Sequence, residues 1–304
     1  MASGQKLRAG LDADGPVVAP GVFNALFARL VEEAGFPAIY VSGAGVANSL
    51  LGRPDVGLTT LSEMAFVVER IAEVVSVPLV VDGDTGYGGV GNVARTVRTF
   101  ERAGAAAIQL EDQVNPKRCG HFAGKEVVEV AEMKERLAAA LDARTDPSTV
   151  VIARTDSLEP LGMAEALDRC AAYREAGADV VFVDAPRSRS EFEIIGRELE
   201  GVPLMANMVE FGRSPLLGVD ELSALGFSLV IFPGSIIRLV TRAARGLLAD
   251  LAMAGSTTAW LERMASFDEV NTLVGRDDWA AWESRITDLA AGGGIPSTPP
   301  EGQT

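Results

Sequence analysis

The sequence predicts an α/β fold, a (β/α)8 barrel with extra C-terminal helices. Eight short runs rich in Val, Ile and Ala recur between residues 17 and 232, and they do not alternate with polar residues. Such runs are typical of parallel strands buried on both faces. Helical stretches separate them, so that eight strand–helix units fill residues 17–254. A doubly wound open sheet is the alternative, but eight uninterrupted units favour the closed barrel.

The elements follow in order along the chain. The predicted strands are Val17–Phe23, Ala38–Ser42, Pro78–Asp82, Ala106–Glu111, Thr149–Arg154, Asp179–Asp184, Pro203–Asn207 and Ser228–Phe232. Apolar residues spaced three and four apart predict helices between them, for example over Leu61–Val75, Val93–Ala103, Met133–Ala143 and Ala164–Ala176. One turn recurs after four helices, and its glycine supplies the left-handed residue at the helix end. These glycines are Gly35, Gly104, Gly177 and Gly226.

We expect four segments. Residues 1–16 precede the barrel, and residues 17–254 form it. Residues 255–289 form C-terminal helices that pack on the barrel or on a neighbouring subunit, with helices over Thr257–Met264 and Asp277–Leu289. Residues 290–304 are rich in Gly and Pro and are expected to be a flexible tail.

Composition excludes several classes of function. Among 304 residues, 42 Asp and Glu against 27 Lys and Arg give a net charge of −15. This acidity argues against partners such as nucleic acid or an anionic membrane surface. One His and two Cys exclude a disulfide framework and an ordinary four-ligand zinc site. No segment approaches about 18 apolar residues, and the N-terminus lacks a signal peptide's apolar core, so a cytoplasmic location is expected.

Polar residues cluster where the predicted strands end. In a (β/α)8 barrel the chemistry gathers at the carboxyl ends of the strands. One or two polar strand ends need no functional explanation, but six of eight do. The polar strand ends are Tyr40–Gly43, Asp82–Asp84, Glu111–Gln113, Arg154–Asp156, Asp184, and Asn207 with Glu210.

Asp82 and Asp84 are two positions apart, so we expect both carboxylates on one face of the strand. Adjacent carboxylates repel unless a cation lies between them, and oxygen ligands suit Mg2+ or Mn2+. Glu111, on the next strand, would orient the waters around the metal. The alternative is a pair of turn-forming or capping residues before the helix that follows.

Residues 86–91 match the pattern G-x-G-x-x-G between a strand and a helix. A dinucleotide site is nevertheless a weak interpretation, because Asp82 and Asp84 would repel a pyrophosphate. We expect instead a flexible loop whose amides bind a carboxylate or phosphate.

Residues 115–125 form a long loop after the fourth strand, and it is basic in an otherwise acidic protein. Lys117 is a candidate for binding an anion, whereas composition alone favours ordinary solvated positions for Arg118 and Lys125. The length of the loop and the hinge at Gly120 are typical of a segment that closes over a substrate.

Cys119 lies among these cations, which lower the pKa of a thiol. An exposed free cysteine is a chemical liability unless it is used. His121, the only histidine, lies too near in the loop to form a nucleophile–base pair with Cys119, and we expect it to bind a substrate carboxylate. Cys170 lies in the middle of a predicted helix and is expected in the core.

The run Glu111–His121, EDQVNPKRCGH, closely resembles the active-site loop of the isocitrate lyase/phosphoenolpyruvate mutase superfamily. The resemblance extends from about Val18 to Leu289. The sequence is most similar to the 2-methylisocitrate lyase and 2,3-dimethylmalate lyase branch, and it is close to the carboxyphosphonoenolpyruvate phosphonomutases. Further matching segments are Ala38–Gly43, Pro54–Gly57, Asp82–Gly88, Ala153–Asp156 and Ala206–Gly212.

The resemblance implies a (β/α)8 barrel, dependence on Mg2+ (or Mn2+), and a homotetramer whose eighth helix is exchanged between paired subunits. By position, the implied metal site is Asp82, Asp84 and Glu111. The implied catalytic residues are Tyr40, Lys117, Cys119 and His121. The implied substrate-binding residues are Ser42, Gly43, Ala44, Gly45, Asp55, Gly120, Arg154, Asp184, Asn207 and Glu210.

The implied reaction cleaves a 2-hydroxy di- or tricarboxylate, such as 2-methylisocitrate, to pyruvate or glyoxylate plus a dicarboxylate. The metal would bind the hydroxyl group and a carboxylate, and a base, for which Tyr40 is our candidate, would remove the hydroxyl proton. The carbon–carbon bond would break in a retro-aldol sense, and Cys119 would protonate the departing carbon.

Three alternatives remain: a phosphonomutase, an oxaloacetate decarboxylase, and a catalytically inactive barrel used for binding. The presence of Cys119 favours a lyase over a decarboxylase but does not separate it from a phosphonomutase. The intact set of site residues argues against an inactive barrel.

Three residues depart from the pattern of these lyases. Asp184 stands where they carry Glu, so we expect a larger pocket or a water-mediated contact. Gly83 replaces the Ala of Asp-Ala-Asp and is expected to loosen that turn. Gly234 replaces the Leu of Pro-Leu-Ser and is expected to widen the pocket. These changes bear on the substrate rather than on the reaction.

Overall fold

The computed structural model describes residues 2–118, 120 and 124–291, and it contains a closed barrel of eight parallel strands. The strands pair in sequence order, and β8 closes on β1 with Val17 opposite Leu229. The predicted barrel is therefore confirmed, and every strand end lies within one residue of its predicted position. The strands are β1 Val17–Val22, β2 Ile39–Val41, β3 Leu79–Asp82, β4 Ala105–Glu111, β5 Val150–Thr155, β6 Val180–Val183, β7 Leu204–Asn207 and β8 Phe227–Phe232.

Helices follow the strands and cover the outside of the barrel. Outward-facing strand residues and the apolar helix faces form one large buried cluster, and inward-facing residues form a second cluster inside the barrel. The helices are α1 Ser3–Leu11, α2 Ala25–Glu33, α3 Gly43–Val46, α4 Leu61–Ala72, α5 Val90–Arg102, α6 Val130–Ala143, α7 Leu158–Leu161, α8 Met163–Glu175, α9 Arg189–Glu198, α10 Val219–Ala224, α11 Ser235–Ala254, α12 Phe267–Leu273 and α13 Arg276–Ala291.

The four repeated turns have the predicted conformation. Gly35, Gly104, Gly177 and Gly226 all have φ between +80° and +102°. A side chain there would strain the backbone, because this left-handed region suits glycine. The turns therefore bring each chain segment from a helix directly into the next strand.

Helix α1 lies at the amino-terminal end of the barrel. Leu7 is buried in the interior cluster with Val17 and Val150. Arg8 fixes the helix to the barrel, because its guanidinium donates to the Ser148 carbonyl at 2.9 Å and to Asp179 at 2.9 Å. This end of the barrel is thereby covered, and the opposite end is left for the site.

The chain divides into two compact units, Met1–Ala244 and Arg245–Thr304. The second unit contains α12, α13 and a 3-10 turn over Thr258–Arg263, where the sequence had indicated an α-helix. Within this unit the Trp260 indole donates to Asp250 at 2.7 Å. Residues 292–304, most of the predicted tail, lie outside the described residues. None of the described helices has the length and apolarity to cross a membrane.

Candidate active site

A cavity of about 140 Å3 lies at the carboxyl ends of the strands, and side chains from β2 to β8 line it. The structure thus brings together most of the residues that the sequence singled out. The predicted residues that line the cavity are Tyr40, Ser42, Ala44, Gly45, Asp55, Asp82, Glu111, Lys117, Gly120, Arg154, Asp184 and Asn207. Gly43 and Asp84 contact this set, whereas Glu210 contacts Arg238, which also lines the cavity. Cys119 and His121 lie outside the described residues.

The turn after β3 places Asp82 and Asp84 side by side. Asp84 has a φ of +46°, and its N–H donates to Asp82 Oδ1 at 3.3 Å. Gly83 between them is not loose, because its N–H donates to the Gln109 carbonyl at 2.9 Å. A Cβ on Gly83 would lie only 2.6 Å from that oxygen. Both carboxylates are therefore fixed by a tight turn, contrary to the expected loosening.

The segment after β2 presents backbone N–H groups to the same carboxylate. Ser42 caps α3 by accepting from the Gly45 N–H at 3.1 Å. The Gly43 N–H donates to Asp82 Oδ2 at 3.3 Å. A Cβ on Gly43 would lie 2.8 Å from the same oxygen, so this close approach requires glycine.

Lys117 joins two carboxylates from different loops. Its Nζ lies 2.6 Å from Asp55 Oδ1 and 2.6 Å from Asp84 Oδ1, and its side chain is 5% exposed. Burial lowers the pKa of Lys117, but the surrounding carboxylates, Asp84 first, outweigh burial and raise it well above the usual value. The ammonium therefore stays charged at neutral pH.

Burial is the main influence on the carboxyl of Asp84. It raises the pKa of Asp84 to about 7, with a further rise from the charge of Asp82 and an opposing effect from Lys117. Burial also raises the pKa of Glu111 well above its usual range, although Arg154 opposes this. One Glu111 oxygen, Oε1, is buried without a hydrogen-bond partner among the described residues. Glu111 therefore retains an oxygen that can accept a further hydrogen bond.

Tyr40 is buried beside the same group. Burial and then Asp82 raise the pKa of its phenol well above 10, and Arg154 lowers it by less. Its hydroxyl lies 3.4 Å from Gln109 Oε1. The Tyr40 phenol is therefore protonated unless further positive charge lies nearby, which restricts its use as a base.

Arg154, at the end of β5, lies among three carboxylates. Its Nε is 2.8 Å from Asp156 Oδ2, and its Nη2 is 3.2 Å from Asp184 Oδ2. Glu111 Oε2 is 3.3 Å from Nε. The contact of Asp184 with Arg154 is direct, whereas the sequence had suggested a larger pocket or a water. One Asp184 oxygen, Oδ1, is buried without a described partner.

Lys125 completes this cluster, and its predicted solvated position is wrong. Its side chain is 1% exposed, and its Nζ lies 2.9 Å from Asp156 Oδ1 and 3.4 Å from Asp184 Oδ2. The sequence showed only a basic loop, because the acidic partners come from two other strands. Arg118, in contrast, is exposed as expected and lies at the cavity wall.

A second buried network, missed in the sequence, supports the cluster from behind. Asp112 accepts from the backbone N–H of Asp156 at 2.9 Å and from the Thr155 hydroxyl at 2.7 Å. The Tyr173 hydroxyl donates to Asp112 at 2.8 Å, and Arg169 lies 3.2 Å away. Asp112 thereby fixes the strand end that carries Arg154. The position of Asp112 directly after Glu111, at the end of β4, was the sequence signal that could have identified this residue.

The loop between β4 and α6 closes on itself at its base. Gln113 pairs with Val127 in an antiparallel bridge. The Gln113 side-chain amide donates to the Arg118 carbonyl and accepts from the Arg118 N–H. At the tip, a Cβ on Gly120 would collide with Asp184 Oδ2 and Arg154 Nη2. The backbone at Gly120 therefore rests directly on the cluster, and only glycine fits there.

The residues present fit a divalent cation of the Mg2+ type. Within the described ranges, no three His, Cys, Asp or Glu side chains converge into a complete cage. Mg2+ does not need one, because it binds through one or two carboxylates and completes its shell with water and substrate oxygens. Asp82 and Asp84 supply such a pair, because the turn after β3 holds the two carboxylates side by side.

Comparisons with known proteins agree with this geometry. The phosphoenolpyruvate phosphomutase family model matches residues 7–252. The chain is 44% identical to 2,3-dimethylmalate lyase of Eubacterium barkeri over 90% of this chain and 95% of that protein. It is 42% identical to the probable 2-methylisocitrate lyase 1 of Corynebacterium glutamicum over 93% of this chain and 92% of that protein.

A solved structure is similar as well. Phosphonopyruvate hydrolase in complex with oxalate and Mg2+ superposes with a TM-score of 0.86 and 34% identity, over 94% of this chain and 99% of that one. The match covers the whole barrel, so the likeness is not limited to the active-site loop. The chain therefore belongs to the phosphoenolpyruvate phosphomutase family and is an enzyme of the isocitrate lyase/phosphoenolpyruvate mutase superfamily.

Proposed function

We propose that this protein is a carbon–carbon lyase that depends on Mg2+ or Mn2+ and cleaves a 2-hydroxy di- or tricarboxylate. The products would be pyruvate or glyoxylate and a smaller carboxylate. The observation that carries the proposal is that Asp82, Lys117 and Arg154 line one cavity, with Asp84 bound to Lys117 at 2.6 Å. Its relatives are named for lyases of this kind.

The cation would be held by Asp82 and Asp84, with Glu111 orienting its waters. When bound, it would act as a Lewis acid toward the 2-oxygen and the adjacent carboxylate of the substrate. The backbone N–H of Gly43 and the capped turn at Ser42 fix Asp82 for this task. The resemblance assigns the 2-oxo acid half to this side, where Ala44 and Gly45 line the cavity.

Arg154 is proposed to bind a substrate carboxylate. Its guanidinium is buried and always charged. Because Nε and Nη2 already donate to Asp156, Nη1 would donate to the substrate. Gly120 already lies against Arg154, so the loop would border the bound carboxylate. His121, next to Gly120 in sequence, is proposed to contribute to the same contact.

The bond cleavage leaves a carbanion-like centre on the departing half, which must be protonated. Cys119 is our proposed proton donor, because the preceding Lys117 and Arg118 favour a thiol of suitable acidity. Lys117, which stays charged, would stabilise the negative charge that develops beside it. Tyr40 is proposed to take the hydroxyl proton, which requires that positive charge near Asp82 lowers its raised pKa.

The test is a substrate panel of 2-methylisocitrate, isocitrate, 2,3-dimethylmalate and oxaloacetate, with detection of the 2-oxo acid product. We expect cleavage of a 2-hydroxy acid that is abolished by EDTA and restored by Mg2+ or Mn2+. Cys119→Ser should lose at least about 100-fold in kcat, within the range of general acid catalysis. Cys170→Ser, a buried cysteine away from the cavity, is the matched control and should stay active.

Activity that survives both EDTA and Cys119→Ser would refute the mechanism. Inactivity toward every hydroxy acid, with turnover of a phosphonate or of oxaloacetate, would favour the phosphonomutase or decarboxylase alternative. Binding without any turnover would favour an inactive barrel.

We also propose a cytoplasmic homotetramer. Large apolar side chains of the second unit are exposed in the single chain, among them Phe267, Trp279 and Trp282. Exposed apolar groups of this size are typical of surfaces that bind another protein. Light scattering of the intact protein measures its molar mass and so tests the tetramer. The double change Trp279→Glu and Trp282→Glu should reduce the number of subunits in the assembly. A monomeric wild-type protein would refute it.

A further inference from the structure

A buried arginine outside the cavity has no role in the proposed mechanism. Arg136 lies on α6, its side chain is 7% exposed, and it does not line the cavity. Its Nη1 donates to the backbone carbonyl of Glu111 at 3.0 Å and to that of Gln113 at 3.2 Å. One guanidinium nitrogen therefore holds the segment in which β4 ends and the β4–α6 loop begins.

The other terminal nitrogen of this guanidinium also has a partner in the protein. Arg136 Nη2 lies 2.7 Å from Glu132 Oε1, one helical turn earlier on α6. A guanidinium presents its N–H groups in a rigid planar fork, so one side chain can hold a carboxylate and two carbonyls at once. Both terminal nitrogens of Arg136 are thus used within the protein, which suits a residue that holds backbone rather than a ligand.

The segment that Arg136 holds is also bound to both neighbouring strands. The Glu111 N–H donates to the Asp84 carbonyl at 2.9 Å, and the Asp112 N–H donates to the Arg154 carbonyl at 3.2 Å. These bonds fix the N–H groups of the segment, and Arg136 fixes the carbonyl of Glu111 from the side of α6. The backbone from which the Glu111 side chain extends is therefore held from three directions.

The carboxylate of Glu111 has few contacts of its own. Its Oε2 lies 3.3 Å from Arg154 Nε, and its Oε1 has no hydrogen-bond partner among the described residues. The position of this carboxylate therefore depends mainly on the backbone that carries it. Outer groups that orient the ligands of a metal, or the waters around it, typically change metal affinity by about 10- to 100-fold when they are lost.

We propose that Arg136 is a positioning residue that holds Glu111 in place, from outside the cavity, for the waters of the metal ion. This inference rests on the proposed function, because it uses the metal site assigned there. Asp82 and Asp84 hold the ion, Glu111 orients its waters, and Arg136 fixes the backbone of Glu111. Replacement of Arg136 then weakens metal binding although every residue that lines the cavity is unchanged.

The test is the binding of Mn2+ to the folded protein without substrate, measured by electron paramagnetic resonance of the free ion. Arg136→Met should lower the affinity for Mn2+ by about tenfold or more, within the range for outer groups of a metal site. Arg136→Lys should also lose affinity, but less, because an ammonium can donate to the two carbonyls without the fork that holds Glu132 as well. If Arg136→Met does not fold, unchanged affinity in Arg136→Lys would overturn the inference.

A double variant tests whether Arg136 acts through Glu111. Arg136→Met combined with Glu111→Gln should bind Mn2+ about as weakly as Glu111→Gln alone, because two residues that act through one contact do not have additive effects. Losses that add in full would show that Arg136 affects the metal site by another route and would overturn its role.

Arg8, at the opposite end of the barrel, supplies the matched control. Its guanidinium also donates to two backbone carbonyls, those of Ser148 and Thr149, and it pairs with one carboxylate, that of Asp179. Arg8→Met should lower the midpoint of urea unfolding and leave the affinity for Mn2+ unchanged. Equal losses of affinity in Arg8→Met and Arg136→Met would indicate a general effect of stability and would overturn the inference.

The Mn2+ measurement separates this inference from the proposed lyase activity. If the wild-type protein binds Mn2+ and cleaves no member of the substrate panel, weaker binding in Arg136→Met still supports the role of Arg136. Wild-type affinity in folded Arg136→Met would overturn that role even in an active lyase. A wild-type protein that binds no Mn2+ would overturn both the metal site and the role of Arg136.

Discussion

Lys125 Nζ lies 2.9 Å from Asp156 Oδ1, and this contact joins the far stem of the β4–α6 loop to the strand end that carries Arg154. Asp156 Oδ1 accepts from both Lys125 Nζ and Arg154 Nη2, and Asp112 accepts from the backbone N–H of Asp156. Two cations thus share Asp156 and Asp184. Without Lys125, Arg154 alone would have to neutralise both carboxylates and would be less available to a substrate.

We therefore predict that Lys125→Met raises KM more than it lowers kcat, with a fall in kcat/KM of about 100-fold. Its free energy of unfolding should also fall by about 3 kcal/mol, because removing one partner leaves buried carboxylates short of charge. In Lys125→Arg, KM should return to near the wild-type value. Lys134→Met, exposed on α6, is the control. A purely structural role would lower stability in Lys125→Met without changing KM in the folded fraction.

The cluster also shows what the sequence could and could not predict. Short apolar runs that do not alternate with polar residues placed all eight strands, and the polar strand ends placed the candidate site at the end of the barrel where the cavity lies. Position along a strand does not tell which charged side chains meet, so Lys125 was expected in solvent. The same limit applied to Gly234, where the missing side chain is replaced in space by Arg238, four residues later in the chain.

The short elements were harder to predict than the strands. Helix α1 lies in a mostly polar segment, and only its packing into the barrel interior through Leu7 shows why it forms. Helix α12 begins with a capping box between Ser266 and Glu269, a signal that was present in the sequence but not used. Tertiary contacts of single residues decide such elements, and periodicity does not report them.

Asp156 should make the protein sensitive to acid. Burial raises the pKa of Asp156, but Arg154 and Lys125 outweigh burial and hold it well below its usual value. A carboxyl with a lowered pKa stabilises the folded state above its unfolded pKa of about 3.9, and this stabilisation is lost as the pH falls through the folded value.

The change Asp156→Asn should therefore lower the free energy of unfolding by a nearly constant amount, about 3 kcal/mol or more, between pH 5 and 8. The difference between wild type and variant should shrink below about pH 4. Urea unfolding across this range measures it, with Asp142→Asn, an exposed residue of α6, as the control. A difference that stays constant to pH 3 would contradict the assignment.

Gly120 should tolerate no side chain. A Cβ there would collide with Asp184 and Arg154, so Gly120→Ala must displace either the loop or the charged pair. We predict that kcat/KM falls by about 100-fold, as small displacements of catalytic groups can cost that much. Gly91→Ala is the control, because a Cβ at Gly91 meets no atom within 4 Å. Gly91→Ala should keep full activity, and normal activity in Gly120→Ala would show that the loop does not close on this cluster.

The two cysteines should differ in reactivity. Cys170 is fully buried in α8, and burial raises the pKa of its thiol far above the usual range, so it should not react in the folded protein. Cys119 is predicted to react, because basic residues precede it in the loop. A thiol reagent should therefore label one cysteine in the native wild type, two after unfolding, and none in native Cys119→Ser.

The enzyme should lose activity at the same rate as Cys119 is labelled, and oxalate with Mg2+ should slow both the labelling and the inactivation by closing the site. Rapid labelling of native Cys119→Ser would place the reactive thiol at Cys170 and contradict its burial, whereas labelling at Cys119 without loss of activity would remove that residue from the mechanism.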